Sequence, residues 1–164
     1  ARAPLYDSLA MADHILESHF WLPRPRAEVF AFFASPENLG AITPRWLHFT
    51  LRPPRPIVMA AGTVLDYRIR WLGVPLRWRS IVREYDPPYR FVDAQILGPY
   101  SRWEHRHMFF EDGAGTVVED RITYRLPLGP LGKLAHVLLV GRQLEAIFSY
   151  RREKIAALLS ARCP

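Results

Sequence analysis

The sequence predicts an α+β fold in two layers, a curved antiparallel sheet packed against one long C-terminal helix. Three observations predict it. From about residue 46 to residue 126, apolar and polar residues alternate through successive short segments, which is the period of half-buried strands. From Gly132 to residue 160 the period becomes helical, with Val137, Val140, Leu144, Ile147, Phe148, Ile155 and Leu158 on one stripe. Ahead of both regions stand one strand and two short helices, so helices and strands are segregated along the chain rather than interleaved.

Each element follows from local chemistry. HILESHFWL, residues 14–22, reads as the first strand, which Pro23 and Pro25 stop. A helix from about Pro25 to Ala34 carries Val29, Phe30 and Phe33 on its apolar face. Pro36 suits the first turn of a second short helix, PENLGAI, which Thr43-Pro44 ends. WLHFTLR reads as a strand. Next, GTVLDYRIRWL puts Leu65, Tyr67, Ile69 and Trp71 on one face and Asp66, Arg68 and Arg70 on the other. A Leu72-Gly73 turn leads into VPLRWRSIVREY, where Val74, Leu76, Trp78 and Val82 oppose Arg77, Arg79 and Arg83. Pro87-Pro88 breaks that strand; RFVDAQIL, a strand over 102–110 and GTVVEDRITYRL follow. The last helix is predicted over 132–160, with Gly141 inside it. The whole reads as a single domain, 1–164, with residues 1–12 as an N-terminal extension.

Bulk properties exclude several classes. A chain of 164 residues with 49% hydrophobic content can bury a sizeable core. Cys163 is the only cysteine, so there is no intrachain disulfide and no cysteine-based metal motif. No run of about 18 apolar residues predicts a membrane span. ARAPLYDSLAMADH has no apolar signal region, and a cytoplasmic location is expected. The net charge is +6, carried almost wholly by arginines, with Lys133 and Lys154 the only lysines. Those arginines are spread along strands rather than clustered, which reads as solvated faces, with a basic surface module for membrane or nucleic acid as the alternative function; transient membrane contact fits them, and nucleic acid is not an expected partner. Trp and Tyr alternate onto the opposite face, the wrong side for base stacking. There is no GxSxG motif and no Gly-rich phosphate loop.

The stretch GPYSRWEHRHMFFEDG, residues 98–113, holds the candidate chemistry. On a strand, Trp103, His105, His107 and Phe109 share one face, and Arg102, Glu104 and Arg106 share the other. Burying three charges costs far more than burying two neutral imidazoles, so the histidine face is predicted to point inward. Neighbouring segments add Phe91, Asp93 and Gln95 on one side and Asp120 with Tyr124 on the other, because pairing across the EDGAG turn brings Asp120 close to His105 or His107. Trp78, Trp103, Phe91 and Tyr124 surround that patch. Arg151 falls on the apolar helix stripe, either snorkelling to solvent or facing the patch.

The order of elements resembles the START-like superfamily, also called SRPBCC or Bet v 1-like, and most of all its polyketide cyclase/dehydrase and ligand-binding branch. The residues that carry the resemblance are PRPRAEVFAFFASPENLGAITP, the GTVLDYRIRWLGVPLRWRS hairpin, DPPYRFVDAQILGPYSRWEHRHMF, VEDRITYRLPLGPLG and FSYRRE, together spanning about residues 14–156. The resemblance implies a helix-grip fold, in which a bent sheet wraps the long helix around a cavity for a lipid, polyketide, quinone or similar apolar molecule. The candidate ligand-binding set is then Tyr67, Trp78, Phe91, Gln95, Trp103, His105, His107, Tyr124, Phe148 and Arg151.

Three readings of the His–Asp patch stay open: a self-satisfied network, a polar anchor in an apolar cavity, or a metal site of two histidines and an aspartate. The resemblance brings no metal and no cofactor, and neither is expected. Chemistry, if any, would be a cyclase/aromatase or dehydratase step with His105 or His107 as general base beside Asp93 or Asp120. Segments 42–49 and 126–136 are candidates for gating the cavity.

Overall fold

The computed structural model describes residues 13–52 and 56–160. The predicted N-terminal extension and Cys163 lie outside the described residues. β1 (His14–Leu22) is followed by α1 (Arg26–Phe33), a 3-10 turn at Pro36–Asn38 and the one-turn helix α2 (Leu39–Ile42). The remaining strands are β2 (Thr50–Leu51), β3 (Val64–Trp71), β4 (Val74–Asp86), β5 (Arg90–Leu97), β6 (Arg102–Asp112) and β7 (Gly115–Arg125). The chain ends in a helical run made of α3 (Gly129–Ala135), a π-helical segment (His136–Val140) and α4 (Gly141–Ser160).

The seven strands form one antiparallel sheet in the order β1-β7-β6-β5-β4-β3-β2. β4 carries two register shifts against β5, between Arg79 and Ser80 and between Val82 and Glu84. Such bulges bend a strand and raise its twist, which lets a long strand follow a curved sheet. At the β3–β4 turn both central residues, Leu72 and Gly73, have positive φ, the backbone that matches a two-residue hairpin to strand twist.

Two hydrophobic clusters fill the concave side. One gathers Leu22, Phe30, Phe33, Val82, Phe91, Phe109 and Val118 beneath α1, with Ile155 and Leu159 from α4. The other gathers Trp78, Trp103, Ile122, Tyr124, Val140, Leu144 and Phe148. α4 thus closes both clusters with one stripe, which is the helix-grip arrangement.

Two predicted elements differ. WLHFTLR is mostly not a strand: Arg45–Leu47 form a 3-10 turn, His48 is left-handed, and only Thr50–Leu51 pair with β3. The final helix begins at Gly129, three residues earlier than predicted, and includes the π-helical segment. A π turn takes one extra residue, so it rotates the preceding stripe out of phase. Val137 is therefore 64% exposed although its spacing fits the stripe, while Val140, Leu144, Phe148 and Ile155 are buried. Gly132 is needed where this run starts: a Cβ there would lie 2.2 Å from the Pro127 carbonyl oxygen.

Candidate functional site

Two chambers lie between the sheet and α4. The outer one has a volume of about 340 Å3 and is walled by apolar and aromatic side chains, among them Leu39, Tyr67, Trp78, Trp103, Leu144 and Phe148. The inner one, about 90 Å3, is lined by Phe33, Phe91, Asp93, His105 and His107. Leu39, Tyr67, Trp103 and Arg151 line both, so the two share a wall.

Strand alternation sets the polar floor of the inner chamber. Trp103, His105, His107 and Phe109 are all buried, and Arg102 and Arg106 are exposed. In register, Asp93 lies opposite His105, Phe91 opposite His107, and His107 opposite Asp120. His107 Nδ1 comes within 2.6 Å of Asp120 Oδ1, and His105 Nε2 lies 3.3 Å from the same oxygen. The His107 contact is an ion-pair approach rather than a well-directed hydrogen bond, since Nδ1 has no hydrogen-bond partner of acceptable geometry. On the other side of that ring, Nε2 is 3.7 Å from Asp93 Oδ2. The two imidazoles face each other at 3.8 Å between centroids, and Phe91 stacks on His107 at 4.2 Å.

The electrostatics separate these groups. Burial pushes His105 down to about 4, the neighbouring His107 pushes the same way, and Asp120 opposes both. Burial also works against a charged His107, but the Asp120 and Asp93 carboxylates outweigh it and its pKa is raised. Asp120 is held well below the usual carboxylate range: burial opposes ionisation, and the two histidines more than compensate. Burial, reinforced by the charge of Asp93, raises the Tyr67 hydroxyl, so it stays a hydrogen-bond donor.

Arg151 is half-buried and lies on the wall shared by both chambers, with its guanidinium 5.4 Å from the centre of the Phe148 ring. Among the described residues it makes no ion pair. That is unusual for an arginine turned into a largely apolar chamber.

Of the predicted ligand-binding residues, Tyr67, Trp78, Phe91, Trp103, His105, His107, Phe148 and Arg151 line one chamber or both. Gln95 and Tyr124 line neither. The Gln95 amide donates to the Tyr100 carbonyl at 2.7 Å and accepts from the Tyr100 N–H, which fixes the β5–β6 turn. Tyr124 directs its hydroxyl to His136 Nε2 at 2.7 Å, and His136 stacks on His14 at 3.6 Å. Asp120 stands behind the histidines rather than in the lining. Residues missed by sequence reasoning include Leu39, Gln143, Leu128 and Leu131; Gln143 accepts the indole N–H of Trp71 at the outer wall. The advance signals were the two segments read as gates: Thr43, Leu47 and Phe49 of 42–49 line the outer chamber, as do Leu128 and Leu131 of 126–136, which are 75% and 68% exposed.

The arginine face of the sheet is partly neutralised. Asp66 takes Arg77 at 2.6 Å and Arg79 at 2.8 Å, which holds its carboxyl far below the ordinary range, and Arg83 reaches Glu104 at 4.0 Å. No helix among the described residues is long and apolar enough to cross a membrane.

No family model matches the chain, and no curated protein matches it. Solved structures do. The chain is similar to TTHA0849 from Thermus thermophilus, with 20% identity, a TM-score of 0.67, and coverage of 88% of this chain and 99% of that one. It is also similar to Ara h 8.0201, at 15% identity and a TM-score of 0.60 over 89% and 99% of the two chains. Ginseng major latex-like protein 151 from Panax ginseng aligns at 13% identity and a TM-score of 0.63 over 90% and 97%. At these identities the likeness shows the fold alone, which is the helix-grip architecture.

Proposed function

We propose that the chain is a single helix-grip domain that binds one small apolar molecule in the outer chamber, with the molecule's polar or anionic end at Arg151. The supporting observation is Arg151 itself, a cation without an ion-pair partner among the described residues, on the wall where the apolar chamber meets the polar one. A volume of about 340 Å3 lies in the ~300–1,000 Å3 range of small-molecule pockets, and a mostly apolar wall with a few placed polar groups is their usual composition. The Tyr67 hydroxyl is a second donor on the same wall. Lipid, polyketide and quinone-like molecules with one acidic or carbonyl end all fit this description. The ligand enters past Leu128 and Leu131, and this apolar rim, rather than the Asp66-paired arginine face, makes the transient membrane contact.

The test compares dodecanoate with dodecanol, which share an apolar body and differ in charge. A charge-assisted hydrogen bond contributes about 1.5–3 kcal/mol, or about 10–100-fold in affinity. Wild type is expected to prefer the acid by that factor, and Arg151→Gln to lose the preference while keeping its affinity for the alcohol. An unchanged preference in the variant would contradict the reading.

A second reading makes the site an enzyme. Its support is that both imidazoles line the inner chamber, with one Asp120 oxygen beside one nitrogen of each and Asp93 3.7 Å from the other His107 nitrogen. A polyketone reaching inward from the outer chamber would then lose an α-proton to His105 or His107 before cyclising or dehydrating. Turnover lost in His105→Gln with ligand affinity intact supports catalysis; reduced affinity with no reaction in either protein supports binding alone.

A further inference from the structure

The inner chamber holds a cluster that apolar binding does not require. Asp93, His105 and His107 each offer one potential ligand atom, and the three atoms lie within 4.8 Å of one another. Both histidines are on β6 two residues apart, so strand geometry aims them to one side, and Asp93 comes from the adjoining position on β5. His107 presents Nε2 toward Asp93 at 3.7 Å while its Nδ1 lies 2.6 Å from Asp120 Oδ1. The same Asp120 oxygen holds His105 Nε2 at 3.3 Å. A buried carboxylate hydrogen-bonded to one nitrogen of His105 and close beside one nitrogen of His107 stands where an outer-shell partner of metal-ligating histidines would.

We propose that Asp93, His105 and His107 bind a divalent first-row transition ion, such as Zn2+, Fe2+ or Co2+, with Asp120 orienting both imidazoles. The donor set selects this class: two imidazole nitrogens and one carboxylate suit these ions, whereas Ca2+ and Mg2+ take oxygen ligands. Ligand bonds of about 2.0–2.2 Å place neighbouring donor atoms about 3 Å apart, so the present separations close by small side-chain rotations. Charge points the same way. A bound dication displaces the proton from His107, and the two carboxylates with two neutral imidazoles then carry a net −2 that the ion cancels. All three ligands come from the sheet, so the remaining coordination positions face the inner chamber, a facial arrangement open to an incoming molecule. The competing arrangement is a closed His107–Asp120 ion pair that needs no metal. The proposal does not depend on the apolar-ligand reading.

The test uses the full chain without a histidine tag, stripped with EDTA and then titrated with Co2+ and Zn2+. The expected result is one equivalent bound with micromolar or tighter affinity, with visible Co2+ absorption shifted and intensified relative to the hydrated ion, showing that protein ligands have replaced water. Asp93→Asn and His107→Gln are each expected to weaken Co2+ binding at least 10-fold, and Asp120→Asn by about 10–100-fold, the range for lost outer-shell partners. His136→Gln, in the separate His14–His136–Tyr124 cluster, should leave it unchanged. Circular dichroism checks that each variant is folded, and the wild-type titration stands without them. No stoichiometric binding to wild type, or binding that survives Asp93→Asn and His107→Gln in folded protein, overturns the site.

Discussion

Replacing Asp120 by asparagine isolates the group that organises the polar floor. The side chain keeps its shape and loses its charge. Asp120 is 6% exposed and faces two imidazole nitrogens, at 2.6 Å and 3.3 Å, through one oxygen. Removing one partner of a buried charge pair costs about 3–5 kcal/mol. Part of that is recovered because His107 can become neutral, so about 3 kcal/mol is expected. In a chain of this size each kcal/mol moves the melting temperature by about 2–4 °C, which predicts a fall of about 6–12 °C. The assay is urea and thermal unfolding in EDTA, followed by tryptophan fluorescence and far-UV circular dichroism, so that any metal contribution is absent. A cycle with His107→Gln should return a coupling of at least about 1 kcal/mol, as contacting residues do. Glu119→Gln, one position along the strand and on the opposite face, is expected to stay within about 0.5 kcal/mol. If Asp120→Asn also stays within that range, the network does not hold the sheet and the reasoning fails.

The other predictions concern the chamber wall and the outer sheet face. Ile147→Trp introduces bulk into the outer chamber and should reduce dodecanoate affinity at least 10-fold with the circular dichroism spectrum retained; unchanged affinity would place the ligand elsewhere. Asp66, paired with Arg77 and Arg79, has a depressed folded pKa, so its contribution is present above the unfolded value of about 3.9 and is lost as pH falls through the folded one. Asp66→Asn should therefore destabilise by about 1 kcal/mol at pH 7, with the gap to wild type closing progressively below pH 4; a gap that widens in acid would reverse the sign of the argument.

The parts of the fold that were legible are those with a strict period. Alternation placed Trp103, His105, His107 and Phe109 on the buried face of β6, and the short EDGAG turn set the register that puts Asp120 opposite His107. Illegible parts depend on local hydrogen bonding or on a break in period. Gln95 and Tyr124 share the inward-facing pattern of their neighbours, but each finds a partner before reaching the cavity, in the Tyr100 backbone and in His136. The outer end of the C-terminal helix is out of phase because of the π-helical segment at His136–Val140, which no residue type announces. That phase change accompanies the exposure of Val137, while Leu128, in the loop before the helix, and Leu131 are exposed where they line the outer chamber. Sequence allows the arginine on the helix stripe two destinations, solvent or the patch; in the structure it lies 5.4 Å from the Phe148 ring centre and lines both chambers.

The most direct test of the central claim is native mass spectrometry of the freshly purified chain, followed by denaturation and identification of whatever dissociates. The account predicts one small molecule per chain, with an apolar body and one acidic or carbonyl end. A bare chain that also fails to take up dodecanoate at saturating concentration would contradict it, and would leave the two chambers as packing defects rather than a binding site.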